Sequence, residues 1–218
     1  MHRTRILAML TAAALILAPA VLAACGDDDD GGSAASQKAN ATDRAFAAEM
    51  IGHHEAAVEM AEAAKTNASR EQITDLADAI ITTQKAEIAQ MQAAEQRLAD
   101  AGVDQRDLDM TDAEMGMDMN MDMLDSAEGF DRMFIDMMIP HHQGAIRMAR
   151  MELADGQDPE LRELAETIIA AQAKEIEQMN TWREAWYGEA SPAGGVPDED
   201  MGSHMSDEEQ EHGMEHSG

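Results

Sequence analysis

The chain is short of three things: it has one cysteine in 218 residues, aromatic side chains make up 3% of it, and 15 Lys and Arg stand against 44 Asp and Glu. Each shortage removes a class of function. A disulfide scaffold needs at least two cysteines, and a thiolate zinc site or Cys-x-x-Cys redox motif needs more than one, so Cys25 alone supports none of them. A formal charge of -29 repels phosphate backbones and argues against nucleic-acid binding. With so few rings the core has to be built from Ala, Ile, Leu and Met. Against these shortages stands one excess, 20 Met.

The N-terminus reads as an address. Arg3 and Arg5 precede an apolar stretch from Ile6 to Leu22, which ends in Leu22-Ala23-Ala24-Cys25. A positive start, a short apolar run and small residues before the break mark a secretory signal. Leu-Ala-Ala-Cys also resembles the bacterial lipobox, in which the cysteine is lipidated and becomes the mature N-terminus. Residues 1–24 are therefore expected to be removed and Cys25 to carry lipid, anchoring the chain to the cell membrane on its extracytoplasmic side. Residues 25–41 are small and acidic, without apolar periodicity, and are expected to form a solvated tether.

The remainder is an internal duplication. An offset of 88 residues pairs Asp43-Arg44-Ala45-Phe46 with Asp131-Arg132-Met133-Phe134, and Met50-Ile51-Gly52-His53-His54 with Met138-Ile139-Pro140-His141-His142. The register holds without a gap through Leu76, Ile80, Gln84, Glu87 and Met91, which meet Leu164, Ile168, Gln172, Glu175 and Met179. Only two copies exist and the period is too long for a solenoid, so each copy is half of one domain.

Apolar residues recur at spacings of three and four, as in Ile73, Leu76, Ala77, Ile80, Ile81 and Ile88, which is a helical face and not a strand alternation. Ser69 with Gln72 has the pattern of a capping box. Asp158-Pro159 reads as a helix start, and Gly102 and Gly188 as stops. The first helix of each half should begin near Thr42 and near Asp125 or Ser126. The expectation is an all-α four-helix bundle over 42–187, made of two duplicated hairpins at 42–102 and 125–187. A connector spans 103–124, and residues 188–218 form an acidic His/Met tail without order.

The chemistry lies on the first helix of each half. At 100° per residue, Met50, His53, His54, Ala57 and Met60 fall within one sector of about 120°. Met138, His141, His142, Ala145 and Met148 repeat the arrangement, so two imidazoles and two thioethers face the interior from each half. Adjacent histidines diverge by about 100°. Either one ring points to the bundle axis and the other to a neighbouring helix, or the halves contribute across the pseudo-twofold. Gly52 and Pro140, both poor helix formers, precede the His pairs at the same register, and Pro140 should kink its helix. On the second helices, Glu87 with Met91 and Glu175 with Met179 sit four apart and can face the same interior site. Gap-filling core is the competing explanation for Met at helical spacing.

The connector adds Met115, Met117, Met119, Met121 and Met123, alternating with Gly, Asp and Asn, residues that strands avoid. A thioether has no packing role in a polar segment, whereas a row of them suits a soft cation. The tail adds His204, Met205, His212, Met214 and His216 among acidic residues. Without thiolates, thioether and imidazole favour Cu(I), and by the same softness Ag(I), over zinc or magnesium. A ferritin-like di-metal oxidoreductase is the rival reading. It would want Glu-x-x-His on facing helices; Glu49 lies four before His53, and Met137 stands in its place in the second half. A metal-free helical scaffold of the envelope is a third. No nucleophile with an oriented base and no phosphate loop is present, so the reading is a binding protein and not an enzyme.

The string Met137-Met138-Ile139-Pro140-His141-His142-Gln143-Gly144-Ala145-Ile146-Arg147-Met148 resembles the signature of the bacterial family called domain of unknown function 305, and the likeness spans about residues 42–187. The resemblance implies a ferritin-like four-helix bundle. It also implies a secreted or periplasmic protein that binds Cu(I) or Ag(I) through Met and His in copper tolerance. The reading as a whole is of copper sequestration, tolerance or trafficking, in which a copper-transfer protein is the expected partner. Carried over residue by residue, the ligands are Met138, His141, His142 and Met148, with Met50, His53, His54 and Met60 in the first half. There Gly52 replaces Pro and Glu55-Ala56 replace Gln-Gly, which puts the equivalence of the two sites in question.

Overall fold

The computed structural model describes residues 38–118 and 129–198. They form α1 (Ala41–Asn67), α2 (Glu71–Asp100), α3 (Phe130–Asp155) and α4 (Pro159–Tyr187), with no strand among the described residues. The fold is all-α, as the periodicity required. None of the helices among the described residues is long and apolar enough to cross a membrane. Residues 1–37, with Cys25, lie outside the described residues, as does the tail beyond 198.

Local chemistry sets most of the ends. Asn40 and Asp43 close a capping box over α1. Asp158 accepts from the amides of Glu160 and Leu161, with Pro159 at the first helical position, and Gly188 ends α4 at φ 87. The predicted capping box of Ser69 and Gln72 does not form. Arg70 is the cap residue of α2 and makes no side-chain cap bond, while the Ser69 amide donates to Asp131 Oδ1 at 2.8 Å. For the Ser69 amide, a carboxylate from α3 is a stronger acceptor than the Gln72 side-chain carbonyl that a capping box would supply, so the tertiary contact wins. α3 starts at Phe130, later than Asp125 or Ser126, because Gly129 takes φ 77, a left-handed backbone outside any helix. α3 then continues through Pro140.

The duplicated Asp-Arg-x-Phe motif explains how the halves lock. Asp131 holds the α1–α2 turn through Ser69 and Arg70, and Asp43 Oδ1 accepts from the amides of Gln157 and Asp158 in the α3–α4 turn, both at 2.7 Å. Each half thus pins the turn of the other. Within each half the two helices pack along their length, α1 against α3 joins the halves, and α2 barely touches α4.

The apolar core is divided. Met60, Ile73, Ile80, Phe134, Met138 and Met179 belong to one cluster, and Phe46, Met50, Met91, Leu98, Met148 and Ile168 to the other. The C-terminal half of α1 shares the first cluster with the N-terminal half of α3, so these helices run antiparallel. Between the two clusters every helix turns a polar pair inward: His53 and His54 on α1, Gln84 and Glu87 on α2, His141 and His142 on α3, Gln172 and Glu175 on α4. All but Glu175 are buried. A buried polar layer costs stability unless its atoms are partnered, so this belt needs an explanation other than folding.

A second buried acid sits near the α3–α4 turn. Burial, and next the adjoining Asp43 carboxyl, push Glu152 from 4.5 up to about 9, with Arg162 opposing and Asp158 adding to the rise. The folded state therefore keeps a proton that the unfolded chain releases above about 4.5. Stability contributed by this group is complete below that value and falls as pH rises toward 9, by at most about 1.4 kcal/mol per pH unit. Glu152→Gln should flatten that decline and melt a few degrees above the unsubstituted protein at pH 8. Parallel melting temperatures from pH 5 to 9 in the two proteins would refute it.

Candidate metal centre

The belt has a repeated unit. His54 Nε2 donates to Glu87 Oε2 at 2.8 Å, joining α1 to α2, and His142 Nε2 donates to Glu175 Oε2 at 2.6 Å, joining α3 to α4. In a neutral ring this fixes the tautomer and leaves the Nδ1 lone pair free. Neither Nδ1 has a partner, and both are buried. A carboxylate behind an imidazole is the arrangement that orients histidine ligands and raises their basicity.

The other two rings meet between the halves. His53 and His141 lie 3.8 Å apart centre to centre, tilted by 36°. His53 Nε2 donates to the Met115 carbonyl at 2.9 Å, while its Nδ1 and both nitrogens of His141 have no partner. Burial lowers His53 to about 3, against the pull of the Met115 carbonyl. Burial first, and the neighbouring imidazoles next, take His141 well below its ordinary value. Both rings are therefore neutral at physiological pH and present lone pairs. Five buried ring nitrogens without partners form a concentrated cost, and a bound cation would relieve it.

The thioethers divide evenly around the belt. Met50, Met91 and Met148 pack in one apolar cluster, Met60, Met138 and Met179 in the other, each set drawing two residues from one half and one from the other. Every one of the eight principal ligand candidates is buried, as are Glu87, Met91 and Met179; the Glu175 side chain is 21% exposed. Gln84 and Gln172 join them unforeseen. The Gln84 carbonyl and the whole Gln172 amide are buried and unpartnered. Their signal in the sequence was a polar residue repeated at the 88-residue offset on an apolar face.

Among the described residues, no three His, Cys, Asp or Glu side chains form a cage that could hold a metal ion. Both belt carboxylates are already bonded to histidines, so a ligand set built here draws on imidazole together with thioether. Of the connector candidates, Met115 and Met117 are described; Met119, Met121 and Met123 lie outside the described residues, as do His204, Met205, His212, Met214 and His216.

Two straps cross α3 at the His pair. Residues 111–117 seat on it through Arg147, which donates to the Glu114 carbonyl at 2.7 Å, and through Gly144, where a Cβ would lie 1.9 Å from the Met115 carbonyl oxygen. Residues 188–198, expected from the sequence to belong to the tail without order, instead return along α3, because Gln143 donates to the carbonyls of Ala193 and Gly195, and Arg150 to those of Pro197 and Asp198. The residues at the matching positions of α1 are Glu55, Ala56 and Glu59, and both glutamates are exposed. The halves therefore differ in what covers them, while the His–Glu units beneath are alike.

Fold and belt together define a class: a helical bundle whose core is interrupted by paired imidazoles backed by carboxylates. The chain belongs to the family described as Domain of unknown function (DUF305), whose model matches residues 43–183, as well as 27–95 and 131–217. Among solved structures it resembles CopM in the Cu(I)-bound form, with 37% identity over 67% of this chain and 98% of that one at a TM-score of 0.57. CopM in the Ag-bound form obtained by soaking matches at 36% identity, with 67% and 97% coverage and a TM-score of 0.57. A DUF305 protein from Streptomyces coelicolor shares the fold at 22% identity, covering 69% of this chain and 96% of that one, TM-score 0.59. A curated relative, the uncharacterized protein L153 of Acanthamoeba polyphaga mimivirus, is 39% identical over 51 residues, 23% of this chain and 34% of that protein.

Proposed function

We propose that this chain is an extracytoplasmic copper-binding protein that takes Cu(I), and by the same softness Ag(I), as cargo in the belt. The observation that carries the reading is the set of five buried, unpartnered imidazole nitrogens flanked by six thioethers. Imidazole and thioether together select a soft monovalent ion over zinc or magnesium. The copper-bound and silver-bound forms of the related CopM support the same choice. The ligands are Met50, His53, His54 and Met60 with Met138, His141, His142 and Met148. Glu87 and Glu175 orient the rings, and Met91 and Met179 extend the thioether sets. A ferritin-like di-metal oxidoreductase would need carboxylates free to bridge, and both belt carboxylates are held by histidines.

The wider assignment follows from the sequence. Lipid on Cys25 would anchor the protein outside the cytoplasm. The Met-rich connector and the His/Met tail would collect the ion, which the belt then retains for sequestration, tolerance or delivery to a transfer partner. The test is a titration of the full-length apo protein with Cu(I) against a chromophoric Cu(I) chelator. Equimolar competition is expected, with a lower stoichiometry in the His141→Ala/His142→Ala variant after its helical content has been verified. Failure of the unsubstituted protein to compete at equimolar copper would sink the proposal.

A further inference from the structure

Beside the belt, a pocket that borders His53 brings methionines and carboxylates together. It lies open to solvent between α1 and the connector, has a volume of about 540 Å³, and is lined by Met110, Met115 and Met117, by Glu49, Asp107 and Asp109, and by His53. The Leu108 amide donates to Glu49 Oε1 at 2.7 Å and ties the connector to α1 at this point. Burial raises the Glu49 carboxyl, the Leu108 amide opposes the rise, and Asp107 and Asp109 add to it. The backbone of Asp109 takes φ 56, a strained setting for a residue with a side chain.

An acidic pocket alone would attract any cation. Two features make this one particular. Met110 and Met115 also pack against the apolar cluster of Met50, Met91 and Met148, so connector thioethers do have a packing role; where they border the pocket beside carboxylates, three thioethers discriminate for a soft ion, because a hard cation gains little from sulfur. In addition, the lining includes His53, itself 2% exposed, with an Nδ1 that has no partner and a ring 3.8 Å from that of His141, centre to centre. The pocket is thus continuous, through one side chain, with the buried centre.

We infer that this pocket is a receiving site for a soft monovalent cation, held first by the thioethers of Met110, Met115 and Met117 and passed inward through His53. The inference rests on the copper reading of the belt and adds Met110, Met115 and Met117 to it, joined to the belt through His53. The carboxylates raise the local cation concentration, the thioethers choose among the cations, and His53 connects the pocket to His141. The Met115 carbonyl on His53 Nε2 makes the strap part of the passage: movement of residues 111–117 changes both the pocket and the ring that leaves it.

Ag(I) is the probe, since it is soft and redox-inert. Full-length protein labelled with 13C at the methionine methyls is titrated with Ag(I) and followed by NMR, with resonances assigned by single Met→Leu substitutions. The methyls of Met110, Met115 and Met117 are expected to shift below one equivalent. They should still shift in the His141→Leu variant, where the belt has lost its central ring. Asp107→Asn/Asp109→Asn should slow Ag(I) uptake about tenfold at low salt and less at high salt. Shifts confined to Met50, Met60, Met138 and Met148 would overturn the receiving site and leave the belt reading intact. Shifts confined to the pocket methionines would leave a thioether site at the connector but overturn its passage inward, and would remove the belt from metal binding. Silence of all methionine methyls would overturn both.

Discussion

His141→Leu is expected to make the metal-free protein more stable and to lower its Cu(I) affinity by at least about 100-fold. The two effects have one cause. His141 is fully buried with both ring nitrogens unpartnered, so the folded state bears their desolvation without return. A buried polar atom left unsatisfied costs about 1–3 kcal/mol, and leucine fills similar space with nothing to satisfy. A gain of about 1–2 kcal/mol and several degrees in Tm should follow once the lost stack on His53 is subtracted. His54→Leu should act with the opposite sign, because it strands the buried Glu87 carboxylate that His54 now holds at 2.8 Å. Thermal melts of the chelator-treated proteins and Cu(I) competition measure both quantities. A destabilised His141→Leu with undiminished copper binding would make His141 a packing residue and refute the assignment.

What the sequence made legible, and what it did not, divides along physical lines. Helical periodicity, the 88-residue offset and the repeated His pairs are properties of one segment compared with itself, and the four helices follow from them. The sequence left open whether each His pair splits between axis and neighbour or combines across the halves. Both occur: His53 meets His141 between the halves, and His54 and His142 reach α2 and α4. The pairing with Glu87 and Glu175 was not readable, because it depends on how far each hairpin turn rotates the second helix against the first. The start of α2 departs from its local sequence pattern for a related reason, since Asp131, remote in sequence, supplies the acceptor at Ser69. Met115 shows a further limit. Its thioether marked it in the sequence, whereas the atom that touches His53 is its carbonyl oxygen, and any residue would carry that.

The Gln143-Gly144 step gains its meaning from the straps, and Gly144→Ala is expected to unseat the inner one while leaving the bundle standing. The added Cβ would lie 1.9 Å from the Met115 carbonyl oxygen and 2.3 Å from its carbon. Backbone cannot rotate aside as a long side chain would, so residues 111–117 have to lift. Lifting breaks the bonds from His53 to the Met115 carbonyl and from Arg147 to the Glu114 carbonyl, a loss of about 1 kcal/mol each. In the opposite direction, alanine in mid-helix is favoured over glycine by about 1 kcal/mol. The global balance is therefore small, and the effect concentrates in the strap, whose stability is separable from that of the helices. Amide hydrogen exchange at Met115 and Met117, which donate to Thr111 and Asp112, should accelerate by about tenfold or more, the equivalent of about 1.4 kcal/mol. Exchange in the middle of α1 and α3 should change little. Ala56, which already carries a Cβ at the matching position of α1, provides the control: Ala56→Gly should leave the strap amides as they are. Unchanged protection at Met115 in Gly144→Ala would mean that the strap does not depend on the missing side chain. Accelerated exchange with an altered rate of Ag(I) uptake would tie the glycine of the family string to access and not to ligation, since Gly144 offers no donor atom of its own.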